Sequence, residues 1–190
     1  MFKSALSRAK RAFRPSSISK TFASSALEES AEQYCPGGYH PMYPGMTLNN
    51  RYTVKRKLGF GQHSTVWLAT DGRGTKSVAI KILTASRSQD PDLEELRLLN
   101  LLRNADALHC GFSHVLTPLD FFRLDGPNGN HLCLVTELMG MDLTTLQRGF
   151  EGGKLPMHLA MQVARQMLLG LDFIHQHGII HCSRSKACAN

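Results

Sequence analysis

No run of apolar residues in this 190-residue chain approaches the roughly 18 to 20 that a helix needs to cross a bilayer. The longest helical stretch, Met157 to His177, is interrupted by Gln162, Arg165, Gln166 and Asp172, so a membrane-spanning helix is not available. Cysteine is also sparse. Cys35, Cys110, Cys133, Cys182 and Cys188 are odd in number, widely scattered and follow no secretory leader, which fits a reduced, intracellular protein better than a disulfide framework. Acids are missing from the first 27 positions, where Lys3, Arg8, Lys10, Arg11, Arg14 and Lys20 stand without counter-charge. Those six carry most of the net charge of +7, because the remaining 16 basic residues face 15 acids. The body of the chain is therefore nearly neutral. That argues against a folded surface that grips phosphates with clustered Lys and Arg, and no direct nucleic-acid partner is expected.

What is present is ordinary globular composition, 42% apolar and 19% charged, with length for one domain and a core. Residues 1–27 are a basic leader outside that fold. Phe2, Leu6, Ala9 and Phe13 recur at helical spacing opposite basic residues, which resembles a mitochondrial presequence; a disordered basic tail acting as a weak nuclear signal fits the same residues. Residues 28–50 are rich in Gly, Pro and Tyr and read as an ordered lead-in loop.

Beyond Asn50 the periodicity changes. Tyr52 to Leu58, Thr65 to Thr70 and Ser77 to Leu83 are β-branched, partly alternating runs separated by Gly-containing turns, and read as three antiparallel strands. Asp90-Pro91 opens a helix whose apolar face is Leu93, Leu96, Leu98, Leu99 and Leu102. Val115 to Arg123 and His131 to Glu137 add two strands joined by the turn Asp125 to Gly129. A short helix near Leu143 to Gln147 precedes a long one, Met157 to His177, in which Leu159, Val163, Met167, Leu171 and Ile174 predict a largely buried face.

Three features on these elements carry chemistry. Gly59 and Gly61 sit in the turn between the first two strands, where missing Cβ atoms let backbone N–H groups approach phosphate oxygens; alone, such a turn more often has no ligand. Val78-Ala79-Ile80-Lys81 ends the third strand on a lysine able to meet phosphates, although a strand-end lysine usually points into water. The capped helix then brings Glu95, a partner for that lysine. The ordered combination is much rarer than any one part.

These residues resemble the protein-kinase N-lobe, over about Tyr34 to Cys182. Tyr34-Cys35-Pro36-Gly37-Gly38-Tyr39-His40-Pro41, Asn50-Arg51-Tyr52 and Ser64-Thr65-Val66-Trp67-Leu68 look like the SR-protein-kinase family. The resemblance implies an α+β fold: a five-stranded antiparallel sheet with one helix over residues 51–139, hinge included, then the first helices of a helical C-lobe over 140–182. It implies ATP as ligand, with Leu58, Gly59, Phe60, Gly61 and Val66 as roof, Ala79 as adenine-side wall, Lys81 on the phosphates and Glu95 pairing with it. Glu94 is the adjacent alternative to Glu95. Thr136 becomes the gatekeeper, and the backbone of Glu137 and Met139 meets adenine.

The resemblance fails after His181. Ser183 stands where the family has its catalytic Asp, Ser185 where it has Lys and Cys188 where it has the metal-binding Asn, and no Asp-Phe-Gly segment follows. No catalytic residue and no Mg²⁺ ligand is therefore expected in this chain, whose residues 183–190 look like an altered reading frame, an unspliced intron or a premature stop. His175, His177, His181, Cys182 and Cys188 could ligate zinc, but their spacing matches no common zinc frame. A full-length product would phosphorylate serines in Arg/Ser-rich proteins in the nucleus or cytoplasm. This chain would be inactive, with the alternative of a non-catalytic fragment that binds nucleotide or pairs with a protein through an exposed Met157–His177 helix.

Overall fold

The computed structural model describes residues 29–74, 76–90 and 94–180. The basic leader, Pro91 and Leu93 of the expected helix start, and His181, Cys182, Ser183, Ser185 and Cys188 lie outside the described residues. Two compact units emerge, one holding residues 29–100 and 117–140, the other 101–116 and 141–180.

The first unit is an antiparallel sheet. Its strands are β1 (Thr47–Leu48), β2 (Tyr52–Gly61), β3 (Ser64–Asp71), β4 (Ser77–Leu83), β5 (Pro118–Gly126) and β6 (Gly129–Glu137), in the spatial order β1-β2-β3-β4-β6-β5. Two tight hairpins set the register: Gly61 opposes Ser64 around Gln62-His63, and Gly126 opposes Gly129 around Pro127-Asn128. The two-residue β1 makes the sheet six-stranded, one more than the sequence predicts. It forms because Asn49 and Asn50 both take the left-handed conformation (φ 50° and 48°), which Asn tolerates better than most residues, and so fold β1 back onto β2.

Alternation along the strands buries the centre of one face. Val54, Trp67, Ala69, Val78, Ile80, Ile82, Cys133 and Val135 form the main core with Leu48 and Tyr52, and Met42 and Met46 of the lead-in pack against it. Burial holds the Cys133 thiol high, at about 12, so it stays protonated and inert. At the sheet's end Tyr52 stacks on Phe122 and donates its hydroxyl proton to Asp120 at 2.7 Å. Arg51 bridges Asp71 (2.7 Å) and Asp120 (3.1 Å), and holds the Asp71 carboxyl down to about 2. Replacing Asp120 with Ala strands the Tyr52 hydroxyl and one arm of Arg51, and is expected to cost about 1–3 kcal/mol in urea unfolding of the full chain.

One short helix packs against the sheet and a second follows it in sequence. The single turn α1 (Ala85–Ser88) was not anticipated; Thr84 caps it by accepting from the Arg87 amide, and the Ser88 hydroxyl oxygen accepts the Leu132 amide proton at 2.8 Å. The helix expected after Asp90 is described as α2 (Glu94–Arg103).

The second unit contains the last residues of α2, the short α3 (Leu143–Arg148), begun by the Asp142 side chain accepting from the Thr145 amide, and α4 (Met157–Gln176). Leu102, Phe173 and Ile174 form its core, with Phe112 and Val115 against them. Gly111 sits so close to α4 that a Cβ there would lie 2.0 Å from the Leu169 carbonyl oxygen. The expectation of a largely buried α4 is corrected: Gly170, Phe173 and Ile174 are its buried residues, while Met157, Met161, Met167 and Leu168 are exposed. The residues that pack on it, from Ala105 to Val115, reach only its C-terminal half.

Candidate nucleotide-binding site

Antiparallel register decides which side chains share a face, because directly opposed residues point the same way. Gly59 opposes Val66, Val66 opposes Lys81, and Lys81 opposes Leu134. Two residues along the strands, Leu68 opposes Ala79 and Ala79 opposes Thr136. Gly59, Val66, Leu68, Ala79, Lys81, Leu134 and Thr136 therefore line one face of four adjacent strands, opposite the face that carries Trp67, Ile80 and Val135. Val66, Leu68, Ala79, Lys81 and Thr136 are half-buried, unlike the fully buried residues behind them. The result is an apolar floor with one ammonium at its side, suited to a flat apolar ring joined to an anionic chain.

The hairpin above Lys81 is shaped for close approach. β2 carries a bulge between Lys57 and Gly59, which leaves Leu58 unpaired and partly exposed at the edge of this face. Neither Gly59 nor Gly61 has a positive φ. A Cβ on Gly59 would meet nothing within 4 Å, and one on Gly61 only the Ser64 hydroxyl at 3.9 Å. The chain's own packing thus does not demand glycine at either place. The space they leave is open to something outside the chain.

Two predicted residues part from this face. Phe60 opposes Thr65, on the core-side parity, and lies beside Lys57, whose ammonium is 5.8 Å from its ring centre. Its ring does not join Lys81, because it follows Gly59 by one residue in unbroken register and alternation turns it to the opposite face. Glu137 opposes Val78 and also faces away, leaving its backbone for the role predicted; Met139 lies exposed beyond the end of β6. Glu95 is in the first turn of α2, and its side chain lies outside those described. Among the described residues no three His, Cys, Asp or Glu side chains gather as metal ligands, and three of the five residues in the zinc alternative fall outside them.

Sequence reading missed what holds the hairpin in place. The buried Tyr39 donates its hydroxyl proton to the Gly61 carbonyl at 2.8 Å, with the Gln62 carbonyl 3.3 Å away. Glu29, also buried, takes hydrogen bonds from Lys57 and Tyr34, and these hold its carboxyl below the usual range against the opposing pull of burial. The Gly/Tyr-rich lead-in was the available signal, but nothing in its spacing says where a tyrosine hydroxyl will reach.

A model of the protein kinase domain matches residues 52–183. This chain belongs to the protein kinase family. It is 41% identical over 157 residues to "Protein kinase dsk1" of Schizosaccharomyces pombe, covering 81% of this chain and 29% of that protein. It is 41% identical over 160 residues to "Serine/threonine-protein kinase SKY1" of Saccharomyces cerevisiae, covering 81% and 22%. It is 36% identical over 151 residues to human "SRSF protein kinase 3", covering 78% and 26%. The kinase chain thus spans less than a third of the length of these relatives, and its subfamily is that of the SR-protein kinases. The antiparallel sheet is the kinase N-lobe, and the family uses ATP and Mg²⁺.

Proposed function

We propose that this chain supplies the ATP-binding lobe of a serine/threonine kinase whose full-length form phosphorylates Arg/Ser-rich proteins. The carrying observation is the single face that joins the Gly59–Gly61 hairpin, the Val66 and Ala79 floor, Thr136 and Lys81 in continuous register. Val66 and Ala79 would cover one face of adenine, with Thr136 limiting its depth. Backbone groups at Glu137 and Met139 would meet the ring edge, and Lys81, held by Glu95, would neutralise α and β phosphate charge. ATP, when bound, supplies the phosphoryl group for transfer. Ser183 has no carboxylate with which to accept a substrate hydroxyl's proton, so the 190-residue form is read as binding nucleotide without transferring phosphate.

Calorimetric titration of the full chain with ATP tests this. Gly59→Ala is expected to leave the melting temperature within about 2 °C, since the added methyl meets open space, while weakening ATP by about tenfold as it crowds the phosphates. Equal ATP affinity in both proteins would count against phosphates lying under the hairpin.

A second reading, binding to another protein, draws on the exposed Met157, Met161, Met167 and Leu168 of α4. Partner binding indifferent to Lys81→Ala would favour it.

A further inference from the structure

The glycine-rich hairpin is tied down at both ends by residues far away in sequence. At its tip stands the Tyr39 hydroxyl on the Gly61 carbonyl. At its base Lys57, two residues before Gly59, is bound by Glu29. The lead-in that carries both ties is itself pinned to rigid structure. Gly37 donates its amide proton to the Asn128 carbonyl at 2.8 Å, and Asn128 returns a side-chain bond to the Tyr39 carbonyl at 2.6 Å. Ala85 and Ser86 of α1 donate to the Gly38 and Gly37 carbonyls at 3.0 and 2.8 Å. Tyr39 therefore stands on the β5–β6 turn and on α1, and its ring packs at 5.7 Å from that of Tyr34.

We propose that Tyr39 is a positioning residue for nucleotide binding: it fixes the tip of the hairpin so that backbone groups at Gly59–Gly61 face the phosphates. This rests on the ATP-binding reading above. On the far side of the two-residue turn Gln62-His63 the Thr84 amide donates to the His63 carbonyl at 2.9 Å, which leaves Tyr39 to hold the Gly61 side. A cleft of about 360 Å³, lined by Gln33, Gly38, Tyr39, Gln62, His63 and Thr84, lies beneath it and gives a released tip room to sink. A loop that binds anions through amide protons needs those protons fixed in advance. Each conformation lost from that arrangement subtracts from affinity. The adenine floor on β3, β4 and β6 has no bond to Tyr39, so the effect falls on the phosphate end of the ligand alone.

Tyr39→Phe removes only the hydroxyl and keeps the buried ring. In the full 190-residue chain, ATP and adenosine affinities would be measured side by side, with amide hydrogen exchange over residues 59–64. Expected is a three- to tenfold weakening of ATP, about one hydrogen bond's worth, with adenosine unchanged and faster exchange at the tip. Glu29→Gln, which loosens the base of the same hairpin, should shift ATP in the same direction and serves if Tyr39→Phe folds poorly. An equal loss for ATP and adenosine would reduce Tyr39 to a general structural role, and unchanged ATP affinity with unchanged exchange would overturn the proposal. If the wild-type chain binds neither ligand, the nucleotide reading fails by itself, and the exchange rate at 59–64 still decides whether Tyr39 holds the hairpin.

Discussion

Lys81→Met is expected to weaken ATP binding by about 10- to 100-fold while changing the stability of the chain by less than about 1 kcal/mol. The separation of the two effects follows from where Lys81 sits. Its strand neighbours Ile80 and Ile82 point into the fully buried core, whereas Lys81 shares the other face with Val66 and Leu134 and is only half-buried. Methionine keeps most of the apolar stem that covers the floor and removes the charge. A charge-assisted bond to phosphate is worth about 1.5–3 kcal/mol, which gives the expected range in affinity. Any ion pair that lysine makes on a half-exposed face contributes about 1 kcal/mol or less. Calorimetry with ATP and with adenosine separates the outcomes. A loss confined to ATP places the ammonium on the phosphates, and an ATP affinity untouched by the change removes Lys81 from the site and with it the reading of this face as a nucleotide floor.

The strands themselves were legible because they carry a two-residue period, which β-branched runs such as Ser77–Leu83 display directly. Once Gly61 and Ser64 close a two-residue hairpin, every partner from Gly59 to Leu134 is fixed by counting. Leu58 shows where counting fails. The bulge at Leu58 inserts a residue without a partner, and no local feature of Lys57-Leu58-Gly59 announces it. The unanticipated β1 and α1 are too short for any period. They exist because of two left-handed asparagines and one threonine cap. The exposure of α4 was expected from the family resemblance and not from the helical spacing: Leu159, Val163 and Met167 specify an apolar stripe but not what covers it. The Arg51, Tyr52, Asp71 and Asp120 cluster joins residues up to 69 positions apart, through Arg51 and Asp120. Charge patterning along a chain carries no record of such pairings.

The same blindness hides a pH dependence that should be large. His40, in the lead-in, and His131, in β6, are both buried, with ring centres 4.9 Å apart and planes at 75°. His131 Nδ1 meets the Leu83 carbonyl at 2.8 Å, while His131 Nε2 and His40 Nδ1 are buried without a partner among the described residues. Gly126 completes the fit, since a Cβ there would stand 2.3 Å from the His40 ring. Burial, reinforced by His131, drives the His40 pKa from its usual 6.5 down to about 4. The folded state thus binds fewer protons than the unfolded one between those values. Stability is complete above pH 6.5, falls as pH drops towards 4, and levels off below, with a total loss of about 3 kcal/mol from this residue. Burial also depresses His114, which adds to the loss in the same direction. Urea unfolding of the full chain at pH 7.5, 5.5 and 4.5 should trace that decline. His40→Phe, which keeps a ring between Gly126 and His131 but cannot be protonated, should flatten it. A variant as acid-sensitive as the wild type would move the cause elsewhere. A flattened profile would show that His40 in the lead-in carries most of this lobe's acid sensitivity.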